Sequence, residues 1–128
     1  MSDMKQKLLT AKGDELSRLL GEVLQPEHEK MGSFPNCIHC HCMLSTFNSL
    51  AVCERPIPLN DWNVAMKHRD WAVGEYGHGE LMAQLRILWM TCDGFVYSFE
   101  AWLALYAQPE HYLIAAALCK LKGNEDEN

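Results

Sequence analysis

Basic residues are scarce in this chain of 128 residues. Lysine and arginine total 11 against 17 aspartates and glutamates, the net charge is −6, and the basic residues form no dense stripe. Because phosphate contacts dominate nucleic-acid affinity, this balance argues against general DNA or RNA binding. No apolar run approaches the roughly 20 residues that span a bilayer, and the first residues lack the apolar core of a secretory signal. The sequence therefore predicts a cytoplasmic protein that does not bind membranes.

Familiar catalytic motifs are absent from the sequence as well. It contains neither the H-E-x-x-H pair of zinc proteases nor the deaminase pattern of H-x-E followed by P-C-x-x-C. The three glycines of GEYGHGE follow a predicted helix rather than a strand, so they do not form a phosphate loop. No catalytic residue is assigned, and the sequence favours a protein without enzymatic activity.

Cysteine, by contrast, is concentrated: four of the six lie in the run from Cys37 to Cys53. Since cytosolic thiols stay reduced, these cysteines suit a metal better than disulfides, although an even count would favour disulfides in an exported protein. Cys37 and Cys40 form a C-x2-C pair that can turn both thiolates towards one zinc ion. The candidate ligands are Cys37, Cys40, Cys42, Cys53 and His41, with His39 and His28 as alternatives.

The zinc is predicted to be structural, because no carboxylate base belongs to the cluster by motif. It would order a proline-rich segment that is otherwise long for a loop in a compact domain. Two other interpretations stay open. The cysteines could pack as small apolar groups, or the C-x2-C pair could carry redox chemistry, against which Pro35 and the lack of a clear preceding strand weigh.

Helical periodicity dominates the rest of the chain. The clearest apolar stripe is Leu16, Leu19, Leu20, Val23 and Leu24. Further helices are predicted at 3–11 with Ser2 as cap, from Asn60 or Asp61 to about 76, at 81–92 before Asp93-Gly94, at 99–107 after Ser98, and at 110–121 after Pro109. A strand at 99–107 is the alternative. The last helix is apolar nearly all round, which is typical of a buried helix.

The predicted fold is therefore mainly α, a compact helical domain with a cysteine-rich, zinc-stabilised loop. The alternative is an α+β fold with one or two short strands. Residues 1–122 form one domain with the cysteine-rich insert at about 31–58, and residues 123–128 form a polar, disordered tail.

The sequence also predicts the surroundings of two cysteines and three histidines. Cys92 and Cys119 are expected in the core, and His111 is expected to bond to a neighbouring carbonyl. His68 is expected on a solvated helix face and His78 in a turn between two glycines.

A binding surface is expected around one tryptophan. Trp71 lies off the apolar face of its helix, and an exposed tryptophan is a candidate binding anchor. Lys67 and Arg69 are its charged neighbours.

Two segments, PLNDWNVAMKHRDWAV and AQPEHYLIAAALCKLKG, resemble stretches of small uncharacterised proteins from tailed bacteriophages and prophages. The opening LLTAKGDELSRLLGEVL is similar to phage proteins grouped as an alpha-beta-alpha sandwich domain. The resemblance implies a phage or prophage source and hence the host cytoplasm. An alpha-beta relative would also make residues 102–107 a strand.

The leading functional hypothesis is a small phage-encoded accessory protein that binds a host, defence-system or phage protein. A homo-oligomer stays open. The first alternative is a small-molecule or nucleotide-binding sponge, which needs convergent basic and aromatic groups. The second is a metal-dependent hydrolase or nuclease, which needs an open coordination position and a nearby acid.

Overall fold

A computed structural model of the chain describes residues 2–24, 30–31, 34–37 and 57–126. Within these residues the protein is mainly helical, as predicted, and two short strands pair as an antiparallel hairpin. The elements are α1 (Ser2–Thr10), α2 (Gly13–Leu24), β1 (Lys30–Met31), β2 (Phe34–Cys37), α3 (Trp62–Tyr76), α4 (His78–Asp93), α5 (Phe99–Leu105) and α6 (Pro109–Asp126).

Helix α6 is the central element of the core. It contacts α1, α2, α3 and α4, most extensively α3. Every residue from Leu113 to Cys119 is buried, and three consecutive alanines lie within that run. Because an alanine side chain is small, neighbouring helices can approach α6 closely there. The prediction of a buried last helix is confirmed.

Helix α2 packs on this core through the stripe that its sequence shows. All five of its periodic apolar residues are buried, and its acidic first turn suits the positive end of the helix dipole. The chain also returns to α2 after the cysteine-rich segment. Buried Ile57 donates its backbone N–H to the Ser17 carbonyl, and the Ser17 hydroxyl donates to the Ile57 carbonyl.

The helix ends follow local sequence chemistry. The Asp61 carboxylate accepts from the backbone N–H groups of Asn63 and Val64 at 2.9 and 3.2 Å, so Asp61 is the cap of α3. Gly94 ends α4 with φ 62° and ψ 28°, a left-handed conformation that costs glycine little. Pro109 is the first residue of α6, as predicted, whereas Ser2 lies inside α1 instead of before it.

The C-terminal third is helical both where a strand was the alternative and where a disordered tail was predicted. Residues 99–105 are helical and Tyr106 ends α5, so the strand alternative for this stretch is wrong. Phe99 and Trp102 share its buried side, three residues apart, as a helix requires. Helix α6 continues to Asp126, into the segment that its composition predicted to be a disordered tail. None of the described helices combines the length and apolar character of a membrane span.

Candidate functional site

The predicted metal site falls mostly outside the described residues. The backbone of Cys37 lies in β2, where Cys37 pairs with Lys30. Cys40, Cys42, Cys53, His41, His39 and His28 all lie outside the described residues. Within residues 2–24, 30–31, 34–37 and 57–126 no three His, Cys, Asp or Glu side chains are grouped as metal ligands would be. The zinc site therefore stays a prediction.

The three predicted binding residues lie on α3 but not on one face. Lys67 and Trp71 are both exposed and are one helical turn apart, so they share a side. Arg69 is rotated by roughly 200° from Lys67, and its guanidinium pairs with Asp70 at 2.9 Å. The Trp71 side chain is 37% exposed and packs edge-on against Tyr76, with ring centroids 5.8 Å apart.

A larger exposed apolar area lies at the turn between α4 and α5 and at the end of α5. Val96, Leu105 and Phe95 are 74%, 71% and 62% exposed, and Tyr97 and Tyr106 are also exposed. We call these five residues the apolar turn surface. The Tyr97 and Tyr106 rings stack with centroids 4.8 Å apart, so the turn before α5 and the end of α5 meet there.

The apolar turn surface has a fixed support. The indole N–H of Trp89 donates to the Tyr97 carbonyl at 2.8 Å, and the Trp89 ring meets Phe95 edge-on at 4.7 Å. Phe95 itself adopts φ 69°, a left-handed conformation that costs a residue with a Cβ about 1–2 kcal/mol. Non-glycine residues held in such conformations cluster at functional sites.

Sequence reasoning missed this surface, although a signal was present. The run Phe95-Val96-Tyr97 follows the Asp93-Gly94 helix stop directly, where polar turn residues are usual. A helix over 99–107 would include Tyr106. Tyr106 is exposed instead, because α5 ends at Leu105 and Tyr106 turns to stack on Tyr97.

The two cysteines expected in the core behave differently. Cys119 is fully buried, as predicted, and burial raises the pKa of its thiol to about 11. Cys92 is exposed, so its prediction is wrong. It lies in the last turn of α4 beside the imidazole of His111, with Sγ 3.8 Å from Nε2.

The histidines differ from their predictions in three places. His111 accepts a hydrogen bond at Nδ1 from the backbone N–H of Gln108 at 2.8 Å, and does not donate to a carbonyl as expected. His78 begins α4 rather than lying in a turn. His68 is half-buried rather than fully solvated, because α3 turns it partly towards the rest of the protein.

An open cleft of about 740 Å³ separates the start of α2 from the start of α3. Asp14, Asp61 and the half-exposed Trp62 line it, and among the described residues no lysine or arginine does. Carboxylates repel phosphates, so this cleft does not suit an anionic nucleotide. The guanidinium of Arg86 lies elsewhere, over the Phe99 ring at 4.5 Å from its centroid.

Comparison of the chain with protein-family models, with curated proteins and with solved structures found no match.

Proposed function

We propose that this protein is a binding module whose protein partner docks on the apolar turn surface. The observation that carries the proposal is the exposure of Val96, Leu105 and Phe95 on two segments that the stacked rings of Tyr97 and Tyr106 bring together. Glu100 is the only charged residue between Phe95 and Ala107. Depletion of charge and enrichment of aromatic residues distinguish the centre of a protein interface from the rest of a surface.

The size of the surface favours a separate partner over an obligate homodimer. Its exposed parts sum to on the order of 600 Å², with about 200 Å² for each large side chain. A monomer's largest apolar patch reaches about 600 Å², and one side of a standard protein interface buries about 800 Å². Obligate homodimers bury more than this. The area therefore suits a partner that binds a folded monomer reversibly.

The fixed support strengthens the case for recognition. Side chains that are held in place before binding lose little conformational entropy when the partner docks. Trp89 fixes the backbone at Tyr97, and Tyr97 in turn stacks on Tyr106. Tyrosine and phenylalanine also bring large contact areas for few rotatable bonds.

A protein of the bacterial host or its defence system is the partner that the resemblance to phage proteins favours. The partner should present an apolar groove with little charge, because Glu100 is the one charged residue in the segment that forms the apolar turn surface. Trp71 and Lys67 would then lie outside the central contact.

Affinity capture from bacterial lysate tests the location of the contact. The wild-type chain should retain a partner that Val96→Ser/Leu105→Ser loses, with an affinity decrease of about 100-fold, since hot-spot truncations cost about 2 kcal/mol or more. Trp71→Ser removes a large exposed apolar side chain from α3 instead, and this control should retain the partner. Loss with Trp71→Ser alone would move the site to α3, and concentration-dependent sedimentation of the wild type alone would indicate self-association instead.

The structural zinc belongs to the same proposal. Cys37, Cys40, Cys42 and Cys53 are thiolate donors of the kind that zinc prefers, with His41, His39 or His28 as substitutes. Protein purified without chelator should contain about one zinc per chain, and EDTA should lower its unfolding temperature. A content below about a tenth of an equivalent would reject the zinc and leave the docking proposal standing.

A further inference from the structure

The thiol of Cys92 faces an imidazole whose tautomer is set by a backbone hydrogen bond. Cys92 lies in the last turn of α4 and His111 in the first turn of α6, with Sγ and Nε2 3.8 Å apart. The Thr91 hydroxyl lies 3.9 Å from the same sulfur. The thiol is exposed, so a small reagent in solution can reach it.

Gln108 decides which nitrogen of His111 carries the proton. Its backbone N–H can only donate, and it donates to Nδ1 at 2.8 Å. The lone pair of Nδ1 is therefore occupied, and the proton of the neutral ring is on Nε2, the nitrogen that faces the sulfur. Burial lowers the pKa of His111, opposed in part by the charge of Glu110, which favours the neutral ring. The Trp102 ring, 5.1 Å from the imidazole, helps to hold its orientation.

This arrangement excludes two roles for the pair and favours a third. A protonated Nε2 cannot accept the proton of the thiol as a general base. It cannot bind a metal ion either, because that would need the proton on Nδ1, where Gln108 already donates. The Nε2–H group can donate to a thiolate, the form of cysteine that attacks electrophiles.

We propose that Cys92 is a modification site that exchanges with low-molecular-weight disulfides, with the Nε2–H of His111 as the donor to its sulfur. In the exchange the Cys92 thiolate attacks one sulfur of the disulfide. The reagent's S–S bond breaks, a mixed disulfide forms at Cys92, and the other half leaves as a thiolate, while the original thiol proton has passed to solvent. His111 keeps its proton throughout and acts as a positioning residue.

Peptide-resolved kinetics with cystamine test the proposal. Cystamine is cationic and suits a chain with a net charge of −6. Chymotrypsin separates Cys92 from Cys119 at the aromatic residues between them, so mass spectrometry can follow each thiol. In the folded protein Cys92 should react and Cys119 should not. In urea the two rates should converge, because Cys119 becomes accessible while Cys92 loses His111 and slows by about tenfold.

Two substitutions at one position separate hydrogen bonding from packing. His111→Leu removes the donor and should slow Cys92 by about tenfold, whereas His111→Gln keeps an N–H group at a similar reach and should retain most of the rate. His78→Leu, at the exposed start of α4, is the matched control and should change nothing. Equal rates for wild type and His111→Leu would overturn the proposal. Should that variant not fold, a Cys92 rate in the folded wild type no faster than in urea would overturn it as well.

Discussion

The middle of α6 and the apolar turn surface are both strongly apolar, yet one is buried and the other faces solvent. Leu113 in α6 has no exposed surface, whereas Leu105 at the end of α5 is 71% exposed. The difference comes from what surrounds each segment. Helix α6 has neighbouring helices on several sides, while the short helix α5 packs chiefly on α4. Apolar composition determines how much free energy burial of a segment would contribute. The arrangement of the helices determines which segment is buried.

A matched pair of leucine substitutions tests this contrast most strongly. Leu113→Ala should lower the free energy of unfolding by about 2–5 kcal/mol, because it opens a cavity where the core cannot fully collapse. Leu105→Ala removes the same atoms from an exposed position and should change it by no more than about 0.5 kcal/mol. Urea unfolding monitored by circular dichroism measures both. A large cost for Leu105→Ala would show that the apolar turn surface is covered in solution.

The extent of the packed part of α6 can be tested at Gly123. A Cβ added there would lie 2.6 Å from Cε1 of Tyr76, whereas one added at Gly74 in α3 meets nothing within 4 Å. Both changes to alanine gain helix propensity, so their difference isolates the clash. Gly123→Ala should be less stable than Gly74→Ala by about 1–3 kcal/mol in thermal or urea unfolding. Equal effects would mean that α6 is frayed at this point, as the sequence predicted.

The sequence predicted those features that depend on neighbouring residues. The stripe of α2, the Asp61 and Ser98 caps, the Gly94 stop and the Pro109 start are all local, and the structure has each of them. Periodicity and capping chemistry act over a few residues, so one sequence is enough to read them.

Contacts between distant parts of the chain were not predictable in the same way. Cys92 faces His111 in the first turn of α6, nineteen residues further along the chain. The apolar turn surface was missed because an apolar run predicts burial on average, and no local pattern shows that the partner helices lie elsewhere. The zinc site is argued from the sequence alone, because most of its candidate ligands lie outside the described residues.

The cap of α5 links the apolar turn surface to the rest of the fold. The Ser98 hydroxyl accepts from the Ala101 backbone N–H at 3.1 Å. Ser98→Ala should lower stability by about 1 kcal/mol and speed hydrogen exchange at the Ala101 amide, because α5 has only seven residues to hold itself together. Asp61→Ala, which uncaps α3, should cost a similar amount without affecting Ala101. Unchanged exchange in Ser98→Ala would show that packing of Phe99 and Trp102 alone maintains α5.

The smallest expected effect concerns the polar edge of the buried region, where Glu80 of α4 meets Lys122 of α6 at 3.1 Å. The hydrogen bond from Gln84 and then the Lys122 ammonium hold the pKa of Glu80 below its ordinary value of 4.5, against the opposing effect of burial.

A carboxylate with a lowered pKa adds stability above its unfolded pKa and loses it as the pH falls through the folded pKa. Glu80→Gln should therefore cost at most about 1 kcal/mol at neutral pH, and this cost should shrink as the pH falls into the acid range through the folded pKa of Glu80. Urea unfolding across this pH range measures the change, with Glu100→Gln in α5 as the control. A difference that persists in acid would show that Glu80 stabilises the contact between α4 and α6 through packing, and that charge contributes little there.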